Sequence, residues 1–159
     1  KLPVLFILEN NLYGMGSHID QTHSGGRNIY LSAEGYNMPA GQIDGMDVMD
    51  VRNSATEALK RIRNGSGPIF LEAMTYRFKG HSMADPVNYR QKDEEEKWKV
   101  KDPISSYKTW LIESDISSKE ELAAVNEAVE REVEEAIELA DHSPFPPPEA
   151  LYQDVYYEA

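Results

Sequence analysis

The chain has 159 residues, 40% of them apolar, which is enough for one globular domain with a hydrophobic core and too few to promise two. Its net charge of −12 argues against nucleic acid as a partner, because contact with a phosphate backbone needs a basic face, and its lack of cysteine excludes disulfides and thiolate metal sites. No run of about 18 apolar residues is present, so no membrane partner is expected, and the absence of cysteine fits the bacterial cytoplasm or an organelle matrix.

The first predicted element is a β-strand at the amino terminus. Residues Leu2–Leu8 (LPVLFIL) form a short apolar run with β-branched members, and Glu9-Asn10-Asn11 ends it, which predicts a strand buried on both faces. Because a domain rarely begins on a central buried strand, we expect the chain to be the carboxyl-terminal half of a longer domain. Residues 12–40 are rich in glycine, serine and asparagine without a sustained period, which predicts one long loop that lines a site.

A strand–helix–strand unit is predicted next. Gln42-Ile43 are expected to add a short strand, and Asp47 caps an amphipathic helix that continues to Ile62 and stops before Gly65. Pro68–Thr75 then form a second buried strand. This order of elements is typical of a parallel sheet, in which ligand sites lie beyond the carboxyl ends of the strands.

The rest of the chain is predicted to be mainly helical. One helix begins at Asp102-Pro103 and runs to about Ile112, and a longer helix, opened by a capping box of Ser118 and Glu121, runs to about Asp141. Its many carboxylates alternate with apolar positions, which predicts a solvated face opposite an apolar stripe. That stripe comprises Leu122, Val125, Val129, Val133, Ala136, Ile137 and Ala140.

These elements predict an α/β fold with a parallel sheet, followed by a helical carboxyl-terminal region. The strand–helix–strand part and its loops occupy residues 1–92, and the helical region and tail occupy residues 93–159. A proline-rich segment (SPFPPP) ends the long helix, and the tail Leu151–Tyr157 is expected to dock on a neighbouring molecule.

The segments that follow the two buried strands, Glu9–Gly16 and Tyr76–Arg90, are expected to lie side by side at one rim of the sheet. The first (ENNLYGMG) offers amide oxygens, backbone carbonyls at a sharp turn, and glycines that let a ligand approach closely. Magnesium prefers oxygen ligands and shares its shell with substrate phosphates, so this segment suits part of a magnesium site that still lacks a carboxylate. An ordinary asparagine–glycine turn after a strand is the alternative.

The second loop suits an anionic ligand and proton handling. It carries cations, an imidazole, a hydroxyl, a carboxylate and a tyrosine: Arg77, His81, Ser82, Asp85, Tyr89 and Arg90. An imidazole titrates near neutrality and can donate to a phosphate, while the two arginines can clamp oxyanions or Asp85. The alternative for His81 is a surface or structural histidine, which is the role we assign to His18, His23 and His142.

Other classes of site lack their motifs. Neither Gly-x-Gly-x-x-Gly nor Gly-x-x-x-x-Gly-Lys is present, which argues against dinucleotide-binding and P-loop proteins. A hydrolase built on Ser82, His81 and Asp85 is disfavoured, because neighbours on one loop cannot readily align as nucleophile, base and orienting acid. The Gly-x-Ser-x-Gly motif of many hydrolases is also missing.

Three segments resemble, in their order along the chain, the alpha subunits of thiamine-diphosphate-dependent 2-oxo acid dehydrogenases. They are LPVLFILENNLYGMG, QIDGMD and GPIFLEAMTYRFKGHSMADP, to which Tyr89-Arg90 is added. The resemblance spans most of the chain, and GHSMADP favours the pyruvate dehydrogenases within the family. It implies the carboxyl-terminal half of a thiamine diphosphate-binding fold, in which Asn10-Asn11 close the cofactor motif. The Gly-Asp-Gly that opens this motif is absent and would lie upstream.

The resemblance also implies roles for single residues. Asn11 would bind magnesium through its side-chain oxygen and Tyr13 through its backbone carbonyl. Both residues, with Gly14 and His81, would contact thiamine diphosphate, and His81 would be the catalytic histidine that assists acyl transfer. The missing aspartate of the motif would be the third protein ligand of the metal.

A regulatory loop is implied as well. Ser82 resembles a hydroxyl that dedicated kinases phosphorylate in animal members of the family, and a phosphate there would repel the cofactor diphosphate. The residues around it in this loop are Arg77, Asp85, Tyr89 and Arg90. Asn88 and His18 occupy the positions of two further phosphorylated hydroxyls, which argues against regulation of the animal type.

The function implied by the resemblance is oxidative decarboxylation of pyruvate with transfer of the acetyl unit to a lipoyl group, in an alpha–beta heterotetramer. The implied partners are the amino-terminal half of the alpha subunit, the beta subunit and the lipoyl-bearing acyltransferase. Two alternatives stay open. One is a branched-chain 2-oxo acid or acetoin dehydrogenase, and the other is an inactive assembly module formed by this chain alone.

Overall fold

The structure is a computed structural model that describes residues 1–155. Contacts divide the chain into two compact units, the first spanning Lys1–Glu113 and the second beginning at Ser114. The strands of the first unit are β1 (Leu5–Asn10), β2 (Tyr13–Gly14), β3 (Ser17–His18), β4 (Ala40–Asp44) and β5 (Ile69–Met74). Its helices are α1 (Ile19–Thr22), α2 (Val48–Arg63), α3 (Lys92–Lys99) and α4 (Pro103–Glu113), with a 3-10 segment at Ile29–Tyr36.

A three-stranded parallel sheet in the order β1-β5-β4 forms the centre of the first unit. Helix α2 connects β4 to β5, so the predicted parallel strand–helix–strand unit and the α/β class are confirmed. Asp47 caps α2 as predicted, because its carboxylate accepts hydrogen bonds from the backbone N–H groups of Met49 (2.8 Å) and Asp50 (3.1 Å). The predicted stop is also confirmed, since Gly65 follows the helix with a φ of 82°.

The hydrophobic core lies between one face of β5 and helix α2. Ile69 and Leu71 of the strand pack with Ala58 and Ile62 of the helix, and all four side chains are buried. Burying a side chain as large as leucine or isoleucine contributes about 1.5–3 kcal/mol to stability. The alternation along β5 assigns Leu71 to the core face and Glu72 to the opposite face.

Strand β1 differs from its prediction. It begins at Leu5 rather than Leu2, and it lies at an edge of the sheet with Phe6 and Ile7 about half exposed. The expectation of burial on both faces is therefore wrong for this chain. An apolar run indicates that a strand is suited to burial, but it does not identify the element that covers the strand. Among the described residues, only β5 pairs with β1.

Residues 12–40 are also more ordered than the prediction of one long loop. Strands β2 and β3 form a tight antiparallel hairpin, with Tyr13 opposite His18, and α1 follows directly. The 3-10 segment at Ile29–Tyr36 then leads towards β4. These elements are too short to produce a readable hydrophobic period, so composition alone suggested a loop.

The helical prediction holds in both units. Helix α4 matches its predicted bounds closely, and the second unit contains α5 (Lys119–His142) and a 3-10 segment at Pro148–Tyr152. The Ser118 and Glu121 capping box is formed in both directions. The predicted apolar stripe of α5 is exposed, with Val125, Val129, Val133 and Ile137 each more than half accessible.

Two further expectations concern docking of the tail on a neighbouring molecule and the lack of a membrane partner. The predicted docking tail reaches Tyr156 and Tyr157, which lie outside the described residues. No helix within residues 1–155 has the length and apolar character needed to cross a membrane.

The end of β4 approaches the end of β5 so closely that only glycine fits between them. A Cβ atom on Gly45 would lie 2.5 Å from the Thr75 Cγ2 atom and 2.8 Å from the Met74 carbonyl oxygen. We expect Gly45→Ala to lower the free energy of unfolding by about 1–3 kcal/mol, because the two strand ends must separate. Urea unfolding measures this loss.

Gly41→Ala is the matched control, since a Cβ there would meet only the Leu71 Cδ2 atom at 4.0 Å. Its expected change in unfolding free energy is within about 0.5 kcal/mol. Equal losses for the two variants would show that the close approach at Gly45 is not a constraint on the fold.

Candidate functional site

The turn after β1 is built from two consecutive asparagines. The side-chain oxygen of the buried Asn10 accepts a hydrogen bond from the Leu12 backbone N–H at 3.0 Å, and that of Asn11 accepts one from the Tyr13 N–H at 3.1 Å. Leu12 is 1% exposed and has a φ of 71°, a conformation that few residues other than glycine adopt. The turn is therefore held in a strained shape by side-chain hydrogen bonds and by burial of Leu12.

Tyr13 connects this turn to helix α3. Its hydroxyl donates a hydrogen bond to the Glu94 carboxylate at 2.6 Å. Burial, followed by the hydrogen bond and charge of Glu94, raises the pKa of Tyr13 to about 12. Tyr13 is therefore protonated at neutral pH, and its ring makes an edge contact with His18 at 5.0 Å between centroids.

The loop between β5 and α3 is organised around one carboxylate. Asp85 accepts hydrogen bonds from the Tyr89 hydroxyl at 2.6 Å, the His81 N–H at 2.7 Å and the Val87 N–H at 3.0 Å. The Tyr89 hydroxyl and then these two N–H groups lower the pKa of Asp85 to about 2. Gly80 has room only for hydrogen beside this group, since a Cβ would lie 2.9 Å from the Asp85 Cβ.

Arg90 joins the loop to the asparagine turn. Its guanidinium lies 5.0 Å from the ring centroid of Tyr13, 5.3 Å from that of Tyr76 and 5.6 Å from that of Tyr89. The Arg90 Nη1 donates to the Arg77 carbonyl oxygen at 2.5 Å. Cation–π contact with three rings keeps this positive charge against the site.

The two loops meet at a small cavity of about 20 Å³. Its lining combines residues from both predicted segments: Asn11, Tyr13, Met15, Arg77, His81, Tyr89 and Arg90. The expected juxtaposition of Asn11 and His81 at one rim of the sheet is therefore present. Gly14 and Ser82 are exposed and do not line this cavity, and a Cβ on Gly14 would find no atom within 4 Å.

A larger polar cleft adjoins the cavity, because Tyr13 and Tyr89 line both. Its volume is about 670 Å³, which lies in the range of small-molecule sites. The other residues that line it are Gly16, His18, Gln21, Arg27, Gln91, Asp93, Glu94, Lys97 and Trp98. The small cavity has room for a single polar group, so a whole cofactor would have to extend beyond it.

Two buried polar atoms of this loop lack a hydrogen-bond partner in the described part of the chain. The Tyr76 hydroxyl and the Arg90 Nε are inaccessible to solvent and have no hydrogen-bond partner among the described residues.

Within residues 1–155, no cluster of three His, Asp or Glu side chains is placed to hold a metal ion. The asparagine turn thus presents a partial set of oxygens, which fits a metal only when phosphates or residues from elsewhere complete its shell.

Sequence reasoning missed three residues of this region. Glu72, whose carboxylate accepts a hydrogen bond from the Asn10 Nδ2 at 2.6 Å, is a single carboxylate in an otherwise apolar strand, which is a readable signal in the sequence. Glu94 and Tyr76 give no such signal, because they contact residues that are distant in sequence, Tyr13 and Trp98 respectively.

The family is established by the match of residues 1–149 to the model of the dehydrogenase E1 component. The chain belongs to this family. It is 42% identical over 157 residues to the chloroplastic pyruvate dehydrogenase E1 component subunit alpha-3 of Oryza sativa subsp. japonica, covering 98% of this chain and 36% of that protein.

Two further relatives come from other lineages. The pyruvate dehydrogenase E1 component subunit alpha of Rickettsia bellii is 36% identical over 155 residues, covering 98% of this chain and 47% of that protein. A probable mitochondrial pyruvate dehydrogenase E1 component subunit alpha of Caenorhabditis elegans is 40% identical over 158 residues, covering 98% of this chain and 39% of that protein. The chain therefore spans less than half the length of these relatives.

The hydrogen bond from Tyr89 to Asp85 makes a testable prediction about pH. Because the pKa of Asp85 is lowered to about 2, the loop keeps its carboxylate hydrogen bonds at neutral pH and loses them as the pH falls towards that value. Tyr89→Phe removes the largest cause, so the pKa of Asp85 should rise towards that of an ordinary aspartate. The pKa of Asp85 is measured from the NMR chemical shift of its carboxyl carbon during an acid titration.

Tyr36→Phe is the control, because Tyr36 is 82% exposed and lies in the 3-10 segment, outside this loop. It should leave the Asp85 titration unchanged. An Asp85 titration that is the same in Tyr89→Phe as in the wild type would contradict the assignment of Tyr89 as the main stabiliser of the carboxylate.

Proposed function

We propose that this chain is the carboxyl-terminal part of the alpha subunit of a thiamine-diphosphate-dependent pyruvate dehydrogenase. The complete enzyme would decarboxylate pyruvate oxidatively and transfer the acetyl unit to a lipoyl group. The observation that carries the proposal is the convergence of Asn11 and His81 on one cavity, which Arg77 and Arg90 also line. Membership of the dehydrogenase E1 component family and the printed names of the relatives support it.

In this proposal the asparagine turn holds magnesium and the cofactor diphosphate. The Asn11 side-chain oxygen and the Tyr13 backbone carbonyl are two ligands of the metal, and a carboxylate from the amino-terminal half of the subunit is the third. Gly14 leaves open space for the diphosphate, because no atom lies within 4 Å of the position a Cβ would take. Thiamine diphosphate, when bound, supplies the electron sink that decarboxylation of a 2-oxo acid requires.

The second loop contributes charge and a proton. Arg90, which lines the cavity, is the proposed cation for an anionic oxygen of the cofactor. His81 is the proposed proton donor at the reacting oxygen during acyl transfer, and Asp85 fixes its backbone through the bond to the His81 N–H. Arg77 restrains the same segment, because its Nη2 donates to the His81 carbonyl oxygen at 3.2 Å.

We propose that the chain acts with three partners: the amino-terminal half of the subunit, a beta subunit and a lipoyl-bearing acyltransferase. Relatives of the chain are named as chloroplastic and mitochondrial proteins, and others are from Rickettsia. We therefore propose the bacterial cytoplasm or an organelle matrix as the compartment.

Ser82 is the proposed regulatory position. It is exposed beside the Asp85-centred part of the loop, and its carbonyl oxygen accepts a hydrogen bond from the Asp85 N–H at 3.1 Å. A phosphate there would add about two negative charges close to Asp85 and to the proposed diphosphate site, which would disorder the loop.

The experiment that tests the function uses the full-length alpha subunit assembled with its beta subunit. We expect turnover with pyruvate and little with branched-chain 2-oxo acids or acetoin. Asn11→Ala should raise the Kd of Mg²⁺, measured with thiamine diphosphate present, by about tenfold or more, because it removes a metal ligand. His81→Ala should lower kcat by about a hundredfold or more, because it removes a proton donor.

Two controls match the residue types. Asn88→Ala and His142→Ala change an exposed asparagine and an exposed histidine, and both should behave as the wild type. If a branched-chain 2-oxo acid or acetoin is turned over faster than pyruvate, that compound is the substrate and pyruvate is not. An assembled enzyme that binds neither Mg²⁺ nor thiamine diphosphate would contradict the proposed function and favour an assembly module.

A further inference from the structure

Glu72 is a buried carboxylate that the proposed chemistry does not use. It lies in the middle of β5 with 0% of its surface exposed, on the face opposite the α2 core. None of the ion pairs among the described residues includes it. Burying a carboxylate costs free energy unless it is hydrogen-bonded, so the donors that face Glu72 explain how the fold tolerates it.

Three donors satisfy the carboxylate, each from a different segment. The Asn10 Nδ2 donates to Oε1 at 2.6 Å, and the backbone N–H of Tyr30 donates to Oε2 at 2.9 Å. The Gln42 Nε2 donates to Oε2 at 3.4 Å. Glu72 therefore joins the end of β1, the 3-10 segment and β4 beneath the asparagine turn.

The bond to Asn10 determines which way round the Asn10 amide lies. A carboxylate only accepts hydrogen bonds, so the NH₂ group of Asn10 must face Glu72 and its oxygen must face away. That oxygen accepts the Leu12 N–H at 3.0 Å, which holds the buried Leu12 at a φ of 71°. The residues on either side of Leu12 are Asn11 and Tyr13, the two proposed metal ligands.

We propose that Glu72 is a positioning residue for the metal-binding turn. By fixing the orientation of the Asn10 amide, it maintains the strained conformation of Leu12 and so presents the Asn11 and Tyr13 oxygens together before any ligand binds. This inference rests on the proposed function for the identity of the bound metal. The control of the turn's conformation by Glu72 does not depend on which metal binds.

The first test is Glu72→Gln in the full-length alpha subunit assembled with its beta subunit. An amide at position 72 can accept hydrogen bonds on one side only, so its NH₂ group opposes either the Asn10 Nδ2 or the Tyr30 N–H, and the cluster that holds the turn loses a hydrogen bond. We expect the Kd of Mg²⁺, titrated calorimetrically with thiamine diphosphate present, to rise by about tenfold or more. Hydrogen exchange of the Leu12 and Tyr13 amides should be faster in the metal-free enzyme.

Leu71→Ala is the control for loss of stability alone. Leu71 is the neighbour of Glu72 in β5 but packs on the α2 face. This variant should lower the unfolding midpoint and leave both the Mg²⁺ affinity and the exchange of the Leu12 amide close to wild type. A weaker Mg²⁺ affinity in Leu71→Ala, equal to that of Glu72→Gln, would reduce Glu72 to a general packing role and overturn the proposal.

The second test reverses the polarity of the pair. Asn10→Asp alone would place two carboxylates at the 2.6 Å separation now occupied by a hydrogen bond, and should weaken Mg²⁺ binding more than Glu72→Gln does. The double variant Asn10→Asp with Glu72→Gln restores one donor and one acceptor, conserves the charge and keeps an acceptor for the Leu12 N–H. We expect it to regain most of the Mg²⁺ affinity and of the amide protection.

The outcomes separate the two proposals. If the wild-type assembly binds no Mg²⁺ with thiamine diphosphate, the proposed function fails, while exchange of the Leu12 amide still tests the role of Glu72. If the wild type binds and Glu72→Gln changes neither the Mg²⁺ affinity nor the exchange, the positioning role fails alone. A double variant no better than its single variants would also overturn it.

Discussion

The parallel pairing of β1 with β5 determines where every candidate site residue lies. Asn10 is the register partner of Met74, and the pairing extends one step further because the Thr75 N–H donates to the Asn10 carbonyl oxygen at 2.9 Å. Strands β1 and β5 therefore end at the same edge of the sheet, and the asparagine turn begins beside the loop that carries His81. A one-residue slip of β1 along β5 would shift the asparagine turn relative to the loop of His81 and move the Asn10 side chain to the other face of the sheet, away from Glu72.

Side-chain acceptors give these loops their shape. Asn10, Asn11 and Asp85 each accept hydrogen bonds from backbone N–H groups that no helix or strand satisfies. Such local bonds allow irregular backbone to be ordered without regular secondary structure. Tyr13 then joins the asparagine turn to Glu94 of α3, and the guanidinium of Arg90 joins the turn to the second loop through its contact with the Tyr13 ring. The site is thus largely preorganised by polar contacts around a small sheet.

Much of this arrangement was predictable from local sequence patterns. Caps at Asp47 and Ser118, apolar periodicity in the helices and the buried run of β5 each depend on neighbouring residues, and each was confirmed. The placement of Asn11 near His81 followed from the parallel topology. The edge position of β1 and the bond between Tyr13 and Glu94, which are 81 residues apart, were not predictable, because they depend on which distant elements meet.

In the proposed enzyme, one metal-bound diphosphate would lie against both loops. The most direct measurement is a crystal structure of the full-length alpha subunit with its beta subunit, grown with thiamine diphosphate and Mn²⁺ in place of Mg²⁺, in which anomalous scattering locates the metal. We expect a metal peak at about 2 Å from the Asn11 side-chain oxygen, with the diphosphate in contact with the loop of His81. A metal bound away from Asn11, or a diphosphate with no contact to that loop, would contradict the proposal.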